Sequence, residues 1–490
     1  MNRSRSISLS LLALLLMLGG CATRPVNPPI TQVDPNGGYG FQTRQAHFKN
    51  FDKGNLVILA FSGGGTRAAA FSYGVLEFLR NHDLVLPNGA RIRMLDTVNI
   101  ITGVSGGSFT ALAYGLYGDK LFDLYDTAFL KRNVQGELIA RAFNPGNWGM
   151  LSSTGVGRSE LAAQYYDEIL FKGATFGNLD RGDGPLILAS ATDISNGGRV
   201  VFQQSIFNVL CSDLDAVPLS RAAAASSAVP VVLSTVTINN YGGTCNNVLP
   251  PWVTAFRDSA DPPRPAARAI RELKDAEAYT DSAHHPYVHL VDGGVSDNVG
   301  MRGVLDALNF LEALRDAGLP TPLDHVHRIV IFVVNSLSSP PINWDESENG
   351  PGTVDVLLKA TGVPIDHYSY EAVELLKDIA ARWKKDRRIR DLAGCSTNKD
   401  SPVCAGVRAP EADIYAIDVS FAALPDKAER DYLNLQPTTF VLPAEAVDHL
   451  RASAGTIIMA SPELQRLLKE TGAKIVPNSS ATAPMRTPTP

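Results

Sequence analysis

A serine flanked by glycines is the clearest candidate nucleophile in the sequence. Gly103, Ser105 and Gly107 fit the pattern G-x-S-x-G, and Gly106 lies between the last two. An apolar run precedes the pattern and helical spacing follows it, so Ser105 is predicted to lie on a sharp strand-to-helix turn that exposes its Oγ. The turn also places that oxygen at a helix N-terminus, where the helix dipole favours developing negative charge. These residues predict nucleophilic attack on a carbonyl.

A second glycine-rich turn lies upstream, at residues 62–67, and reads Ser-Gly-Gly-Gly-Thr-Arg. Gly63, Gly64 and Gly65 leave their backbone N–H groups unobstructed, which suits either an oxyanion hole or a phosphate cradle. Neither the G-x-G-x-x-G pattern nor the P-loop Gly-Lys-Ser/Thr pattern of nucleotide sites is present. Arg67 has three possible roles: it holds this turn in place, meets a phosphate headgroup or forms an ordinary surface salt bridge.

The third candidate is Asp292, which follows an apolar strand candidate and precedes Gly293 and Gly294. The two glycines would let the carboxylate approach another loop closely. An aspartate within hydrogen-bond reach of Ser105 could take its proton as a general base. Asp-Gly-Gly alone is more often a plain turn, so the prediction depends on its combination with the two glycine-rich turns.

These three blocks, in this order, resemble the patatin-like phospholipase family over roughly residues 55–300. Two further blocks strengthen the resemblance, Ala-Thr-Asp at 191–193 and Ala-Ser-Ser-Ala-Val-Pro at 225–230. The resemblance implies that Ser105 is the nucleophile and that Asp292 is its only catalytic partner. It places the oxyanion hole on the first glycine-rich turn, at Gly63, Gly64, Gly65, Thr66 and Arg67. Ala68 departs from the family, which usually has glycine there.

The resemblance also implies a fold and a reaction. The fold is α/β, with three α/β/α layers and a mostly parallel central sheet. The reaction is hydrolysis of a lipid acyl ester through an acyl-enzyme, of the phospholipase A, lysophospholipase or esterase type, and no metal or other cofactor is implied. The expected partner is therefore a membrane lipid substrate.

Two other functions remain open. An α/β-hydrolase triad has the chain order Ser, Asp, His, and four histidines follow Asp292, namely His325, His327, His367 and His449. Against the triad, no HGGG-type motif is present. The other alternative is a non-catalytic envelope lipoprotein that binds lipid or a partner protein, although such a protein would have no use for the serine and aspartate.

The first residues predict export and lipid anchoring. Two arginines precede an apolar run at residues 9–18, which is too short to cross about 30 Å of hydrocarbon and is typical of a signal peptide. Residues 18–21, Leu-Gly-Gly-Cys, resemble the bacterial lipobox, in which the cysteine, here Cys21, is acylated and becomes the mature N-terminus. This implies a lipid-anchored protein of the bacterial cell envelope. Because Ala22 is not aspartate, the resemblance favours the outer membrane.

Four cysteines remain once Cys21 carries lipid, an even number in an oxidising compartment, with three possible pairings. The short loop between Cys395 and Cys404 makes that pairing the favoured one, which leaves Cys211 with Cys245. A metal site is the alternative, but no C-x-x-C pattern or histidine cluster accompanies these positions.

Composition limits the remaining possibilities. The chain has 490 residues, with 44 Lys and Arg against 50 Asp and Glu, and this near balance gives no basic footprint for nucleic acid. Its 41 Gly and 31 Pro are too few for a chain that is disordered throughout. The predicted organisation is a signal peptide (1–20), a Pro/Gly-rich tether (21–52), one hydrolase domain with a C-terminal elaboration (53–475) and a disordered tail (476–490).

Strand-like and helical patterns alternate through that domain, which indicates an α/β layered fold. Strands are predicted at residues 55–61, 96–102, 185–194, 199–204, 287–291, 327–335 and 413–421. Helices are predicted at residues 66–81, 108–117, 301–317 and 368–392.

Overall fold

A computed structural model describes most of the chain. The described residues are 24–45, 48, 54–152, 156–248, 267–317, 319, 321, 324–339, 342–395, 404 and 410–478. The predicted signal peptide, Cys21 and the tail beyond residue 478 lie outside them. Among the described helices, none combines the length and the apolar character that a membrane span needs.

The strands and helices follow the predicted alternation. The β-strands are β1 (Asn55–Phe61), β2 (His82–Val85), β3 (Arg91–Arg93), β4 (Ile100–Val104), β5 (Leu186–Asp193), β6 (Arg199–Val201), β7 (Val236–Asn239), β8 (Tyr287–Asp292), β9 (Arg328–Asn335), β10 (Asp413–Ser420) and β11 (Lys474–Pro477). The α-helices are α1 (Phe41–Arg44), α2 (Gly65–Asn81), α3 (Gly106–Tyr117), α4 (Leu121–Tyr125), α5 (Val134–Phe143), α6 (Trp148–Leu151), α7 (Arg158–Tyr166), α8 (Phe176–Asp180), α9 (Gln204–Val209), α10 (Leu219–Ser226), α11 (Ala267–Glu277), α12 (Gly294–Asp297), α13 (Arg302–Asp316), α14 (Thr353–Leu392), α15 (Lys427–Asn434), α16 (Ala444–Ala460) and α17 (Pro462–Thr471).

The central sheet has eight strands in the order β10-β9-β1-β4-β5-β8-β7, and β6 pairs with β5. Strands β10, β9, β1, β4 and β5 run parallel to their neighbours, whereas β6, β7 and β8 pair antiparallel. Helices flank this sheet, with α3 packed on β4 and β5, and α14 packed on β10. The predicted α/β fold with a mostly parallel central sheet is therefore confirmed.

Burial explains why the central strands read as continuous apolar runs. Residues 56–61 of β1 and 329–334 of β9 are all buried, because helices cover both faces of a parallel sheet. The two strands pair in register from Asn55 with Arg328 to Phe61 with Val334, so their carboxyl ends finish at the same level. That common level fixes where the loops after the strands meet.

Three predicted elements have clearly different bounds in the structure. The strand expected at 199–204 ends at Val201, because Gln204 begins helix α9. The strand expected at 96–102 begins only at Ile100, because Met94 to Thr97 forms a 3₁₀ turn that buries Met94 and Leu95. Helix α14 begins at Thr353, earlier than the predicted residue 368. The first part of the helix has exposed apolar residues such as Val356 and Leu357. It therefore lacks the amphipathic pattern, with one apolar face, that predicts a surface helix.

The described part of the predicted tether, residues 24–45, packs onto the domain, so a tether is wrong for these residues. We call them the N-terminal strap. Asn27, Tyr39 and Arg44 within it are all buried. The Asn27 amide donates to Ser212 Oγ at 2.8 Å, and the Tyr39 hydroxyl accepts the N–H of Ile187 at 2.7 Å. These satisfied polar contacts hold a Pro- and Gly-rich segment that has no apolar periodicity of its own.

The ordered chain also extends slightly beyond the predicted domain end at residue 475. Val476 and Pro477 belong to β11, which pairs antiparallel with β2 in a three-stranded sheet that also contains β3. The tail therefore does not begin at residue 476, because backbone pairing with β2 continues through Pro477.

Disulfides join the cysteines in the pairing that the sequence favoured. Cys211 and Cys245 are bonded with their Cα atoms 5.5 Å apart, and Cys395 and Cys404 with theirs 5.4 Å apart. The first bridge lies beneath the N-terminal strap, because the backbone N–H of Ile30 donates to the carbonyl of Cys211.

Candidate active site

Ser105 lies on the turn between β4 and α3. Its backbone has φ 48° and ψ −120°, a region that costs energy for a residue with a side chain and that marks functional turns. Gly103 and Gly107 make the turn possible, because a Cβ on Gly103 would lie 2.8 Å from Ser108 Cα and a Cβ on Gly107 would lie 2.7 Å from the Phe61 carbonyl oxygen. The predicted strand-to-helix turn therefore forms, with the serine at its apex.

Asp292 meets Ser105 directly, although 187 residues separate them in sequence. The Ser105 Oγ donates a hydrogen bond to Asp292 Oδ2 at 2.8 Å. Both residues are buried, with 5% of Ser105 and 8% of Asp292 exposed. A hydroxyl hydrogen-bonded to a buried carboxylate is the arrangement of a nucleophile and its general base.

Antiparallel pairing places Asp292 beside the nucleophile. Strand β8 runs antiparallel to β5, and its last residue, Asp292, pairs with Ala191. The Thr192 hydroxyl donates to the Asp292 carbonyl oxygen at 2.9 Å, and the Asp292 N–H donates to the Ala228 carbonyl at 2.9 Å. The Gly294 N–H then donates to Asp292 Oδ1 at 2.8 Å, which leaves Oδ2 directed at Ser105.

The protonation equilibrium of Asp292 suits a base near neutral pH. Burial raises the pKa of Asp292 to about 6, although the hydrogen bonds from Gly294 and Ser105 act in the opposite direction. At neutral pH the carboxylate is therefore mostly ionised and still basic enough to accept a proton.

Ser226 joins the two turns. Its Oγ accepts the backbone N–H of Ser105 at 2.9 Å, and its carbonyl oxygen accepts the backbone N–H of Gly293 at 3.0 Å. The residue ends helix α10 and is fully buried. Sequence reasoning included it in the 225–230 block but gave it no role, because both of its contacts are to main-chain groups distant in sequence.

The glycine-rich turn at 62–67 lies against the nucleophile turn. Gly64 has φ 136° and Gly65 has φ 61°, conformations that favour glycine. Gly63 donates its N–H to the Asn298 carbonyl at 2.8 Å, and Thr66 donates its N–H to the Thr439 carbonyl at 2.8 Å. Of the predicted oxyanion-hole residues, Gly63 and Thr66 therefore direct their N–H groups elsewhere, and the described contacts use neither that of Gly64 nor that of Gly65.

Arg67 is buried and holds this turn in place. Its Nε donates to the Ser336 carbonyl at 2.7 Å, and its Nη1 donates to the Gln436 carbonyl at 2.7 Å. Burial lowers the pKa of Arg67 to about 10, and the nearby charge of Asp366 opposes that shift. Of its three possible roles, the structure supports the first, because the guanidinium is buried on main-chain carbonyls. It ties the turn to the segment after β9 and to the C-terminal region.

Asn298 is a second residue that sequence reasoning missed. Its carbonyl holds Gly63, and a Cβ on Gly63 would lie 2.4 Å from Asn298 Oδ1. The residue follows the Asp-Gly-Gly turn by a few positions, so it links the glycine-rich turn to the turn that carries Asp292. Its position shortly after Asp292 was the one feature of the sequence that could have indicated a role in the site. It was not sufficient, because asparagine is common in ordinary turns.

Histidines lie elsewhere in the described part of the chain. The His327 N–H donates to the Gly54 carbonyl, at the edge where β1 and β9 begin, and His325 is close by. His449 pairs with Glu429 at 2.9 Å, and His367 is exposed on α14. Asp292 Oδ2 accepts from Ser105 and Oδ1 accepts from Gly294, and neither oxygen is hydrogen-bonded to a histidine of the described residues. The described residues contain no group of three or more metal-ligating side chains.

Comparison with known proteins identifies a protein family that matches this chain. A family model for patatin-like phospholipase matches residues 59–305, about half of the chain. Solved structures that resemble the chain include human GIVD cytosolic phospholipase A2, with 13% identity, a TM-score of 0.42, and coverage of 88% of this chain and 64% of that chain. The same human enzyme in complex with methyl γ-linolenyl fluorophosphonate matches with 13% identity, a TM-score of 0.38, and coverage of 88% and 62%. The chain thus spans less than two thirds of these structures. No curated protein matches the sequence.

Proposed function

The chain belongs to the patatin-like phospholipase family, a family of lipid hydrolases, and from that premise we propose that it hydrolyses acyl esters of lipids with Ser105 and Asp292 as a catalytic dyad. The observation that carries the proposal is the 2.8 Å hydrogen bond from Ser105 Oγ to Asp292 Oδ2 within a buried site. A dyad accounts for the hydrogen bond between the two side chains, and the pKa of about 6 that burial gives Asp292 suits a general base at neutral pH.

In the first step, Ser105 Oγ attacks the ester carbonyl carbon while its proton passes to Asp292 Oδ2. The carbonyl oxygen becomes an oxyanion, which backbone N–H groups stabilise where they point at it. We assign this role to the N–H groups of Gly64 and Gly65, which the described contacts leave unused, and to the N-terminus of α3. The intermediate collapses, the C–O bond to the leaving alcohol breaks, and Asp292 returns the proton to that oxygen. The product is an acyl-enzyme on Ser105.

In the second step, Asp292 takes a proton from water, and the water oxygen attacks the acyl carbon. Ser105 leaves and recovers the proton, and a fatty acid is released. The hydrogen bond from Gly294 to Oδ1 keeps Oδ2 directed at the reacting oxygen through both steps.

The substrate class and the location are part of the same proposal. Glycerophospholipids, lysophospholipids and neutral acyl esters are the candidates that the family suggests. Lipid anchoring through Cys21 at the bacterial outer membrane would bring the enzyme to such substrates, and the N-terminal residues 1–21 support that location by their pattern.

A fluorophosphonate probe tests the nucleophile. We expect covalent labelling of the wild-type protein that is lost in Ser105→Ala and kept in the control Ser152→Ala, whose serine is exposed and donates to the Gly149 carbonyl. Labelling that survives Ser105→Ala would overturn the assignment. A folded wild-type protein that takes no label would favour the alternative of a non-catalytic lipid-binding lipoprotein.

Positionally labelled phospholipids then test the reaction. Release of a labelled fatty acid with its lyso product, and no release by Ser105→Ala, is the expected result. If only neutral esters are cleaved, the phospholipid part of the proposal fails while the dyad stands.

A further inference from the structure

The ends of the parallel strands form two opposite sides of the sheet, and we call each of these sides an edge. Parallel strands β1, β4 and β5 end at the edge where Ser105 and Asp292 lie, which we call the active-site edge. The same strands begin at the opposite edge, where Gly54 and the histidines at 325 and 327 are found. Any segment that spans the molecule along the strand direction joins these two edges.

The N-terminal strap, residues 24–45, begins at the active-site edge. Strands β7 and β8 extend past the end of β5, because Leu290 pairs with Asp193 and the pairing of Asn239 with Tyr287 lies farther out. Arg24 is fixed at this outer pairing. Its Nη1 donates to the Thr237 carbonyl at 3.1 Å, its Nη2 bonds to the Asn239 side chain, and its guanidinium lies 5.3 Å from the Tyr287 ring centre.

The strap then runs to the opposite edge and is held along its length. Asn27 bonds to Ser212 and to the backbone of Asn239, and the N–H of Val33 donates to the Cys245 carbonyl. The Tyr39 hydroxyl accepts the N–H of Ile187 near the start of β5. Arg44 donates to carbonyls of the segment that precedes β5, including that of Gly184 at 2.8 Å. The start of the strap therefore cannot move to the opposite edge of the domain without breaking these buried contacts.

Exposed apolar side chains border the active site, and we call them the apolar rim. They come from segments that contact the catalytic turns: residues 229–235 follow Ala228, which accepts the Asp292 N–H, and residues 435–441 include Thr439, which accepts the Thr66 N–H. Helix α5 begins beside Phe440, because Gln135 donates to its carbonyl. The rim residues on these three segments are Ile139, Phe143, Val231, Val232, Leu435 and Val441.

We propose that the N-terminal strap and the apolar rim orient the enzyme on a phospholipid bilayer, with the active-site edge facing the membrane to which the chain is anchored. Cys21 precedes Arg24 by three positions, and a fully extended chain of that length reaches only about 10 Å. Acyl chains on Cys21 would therefore enter the bilayer beside the rim, not at the far side of the protein. The orientation rests on acylation of Cys21, and its use in bringing the site to its substrate rests on the proposed lipid hydrolysis.

Depth-dependent fluorescence quenching tests the orientation. The acylated protein carries an environment-sensitive fluorophore on Val232→Cys, in the rim, or on Arg181→Cys, which is exposed near the start of β5 at the opposite edge. On phosphatidylcholine and phosphatidylglycerol vesicles containing nitroxide-labelled lipid, we expect strong quenching at position 232 and little at position 181. Equal quenching at both positions, or the reverse, overturns the proposal, as does protection of position 232 by a protein dimer detected by light scattering.

A strap variant tests the cause of the orientation. Asn27→Ala removes the buried amide contacts of the strap, whereas Asn36→Ala changes an exposed residue of the same segment and is the matched control. For Asn27→Ala we expect hydrolysis of vesicle lipid to fall several-fold relative to hydrolysis of a monomeric short-chain ester. The monomeric ester reports that the fold and the dyad are intact, and an unchanged ratio overturns the role of the strap.

The two proposals fail in different ways. If quenching shows the expected orientation but no ester is cleaved, the proposed function fails and the orientation stands. If both substrates are cleaved but position 181 is quenched as strongly as position 232, the orientation fails and the lipid hydrolase stands.

Discussion

A Cβ on Gly106 would lie 2.0 Å from the carbonyl oxygen of Gly65, so the turn that carries the nucleophile and the glycine-rich turn are packed backbone against backbone. No side chain can enter between them without moving one of the two turns. The position of Ser105 and the position of the N–H groups expected to bind the oxyanion are therefore set by the same contact.

Gly106→Ala should displace this contact. We expect a loss of at least about 100-fold in kcat, because catalysis depends on donors placed to within a fraction of an ångström, and a destabilisation of about 1–3 kcal/mol from overpacking. Steady-state kinetics and denaturant unfolding measure the two effects. The control is Gly362→Ala, where a Cβ on helix α14 meets no atom within 4 Å. Equal effects of both variants would contradict the interpretation.

Asp292→Asn should separate catalysis from stability. The variant lacks a general base, so kcat should fall by about 10²–10⁴. The raised pKa, about 6 against 3.8, means that the ionised carboxylate destabilises the folded state at pH 8 by on the order of 3 kcal/mol. The asparagine variant should therefore unfold at higher temperature than wild type at pH 8, whereas the difference should vanish near pH 4, where both side chains are neutral. A variant less stable than wild type at pH 8 would show that this cost is absent.

The activity should also have an acidic limb set by Asp292. Only the ionised carboxylate can accept the Ser105 proton, so kcat/KM should fall below about pH 6, by about tenfold for each further pH unit. A soluble ester substrate over pH 4.5 to 9 provides the profile. A limb that persists unchanged in the residual activity of Asp292→Asn would assign the titration to another group.

Arg67→Lys should weaken catalysis by loosening the glycine-rich turn. A lysine lacks the planar fork that reaches the carbonyls of Ser336 and Gln436 at the same time. We expect kcat to fall about 10- to 100-fold with KM nearly unchanged, since Arg67 holds the turn and does not meet the substrate. Arg181→Lys, at an exposed arginine, is the control. A large rise in KM at constant kcat would instead favour a headgroup contact.

The two disulfides should differ in their contribution to stability. The Cys211–Cys245 bridge closes a separation of 34 residues and the Cys395–Cys404 bridge one of 9, which corresponds to about 4 and about 3 kcal/mol in the chain-entropy estimate. Replacing both cysteines of the first pair with serine should lower the unfolding midpoint more, particularly because the strap bonds to both of those cysteines. Chemical denaturation of the two double variants makes the comparison, and a larger loss for the short loop would contradict it.

The sequence was sufficient for the features that depend on local pattern. Continuous burial makes β1 and β9 recognisable as apolar runs, and the need for close backbone approach makes Gly103 and Gly107 recognisable as a turn. Asp292 could be named from its two glycines, because the turn after a strand end is itself a local feature.

Long-range polar contacts account for what the sequence did not reveal. Ser226 and Asn298 act on main-chain groups far away in sequence, so neither their type nor their spacing distinguishes them. The N-terminal strap has the Pro- and Gly-rich composition of a linker, and only its buried Asn27 and Tyr39 contacts attach it to the domain. Antiparallel β8 also looks like any other strand until its pairing with β5 is known.

The path of the strap has a practical consequence for handling the protein. The chain enters at Arg24 on the active-site edge, whereas β11 ends beside the start of β2, where α2 finishes at the opposite edge. An affinity handle or a solid support coupled after residue 478 would leave the active-site edge open. The same attachment made ahead of residue 24 would crowd it, so the choice of terminus decides whether an immobilised preparation can reach a bulky substrate.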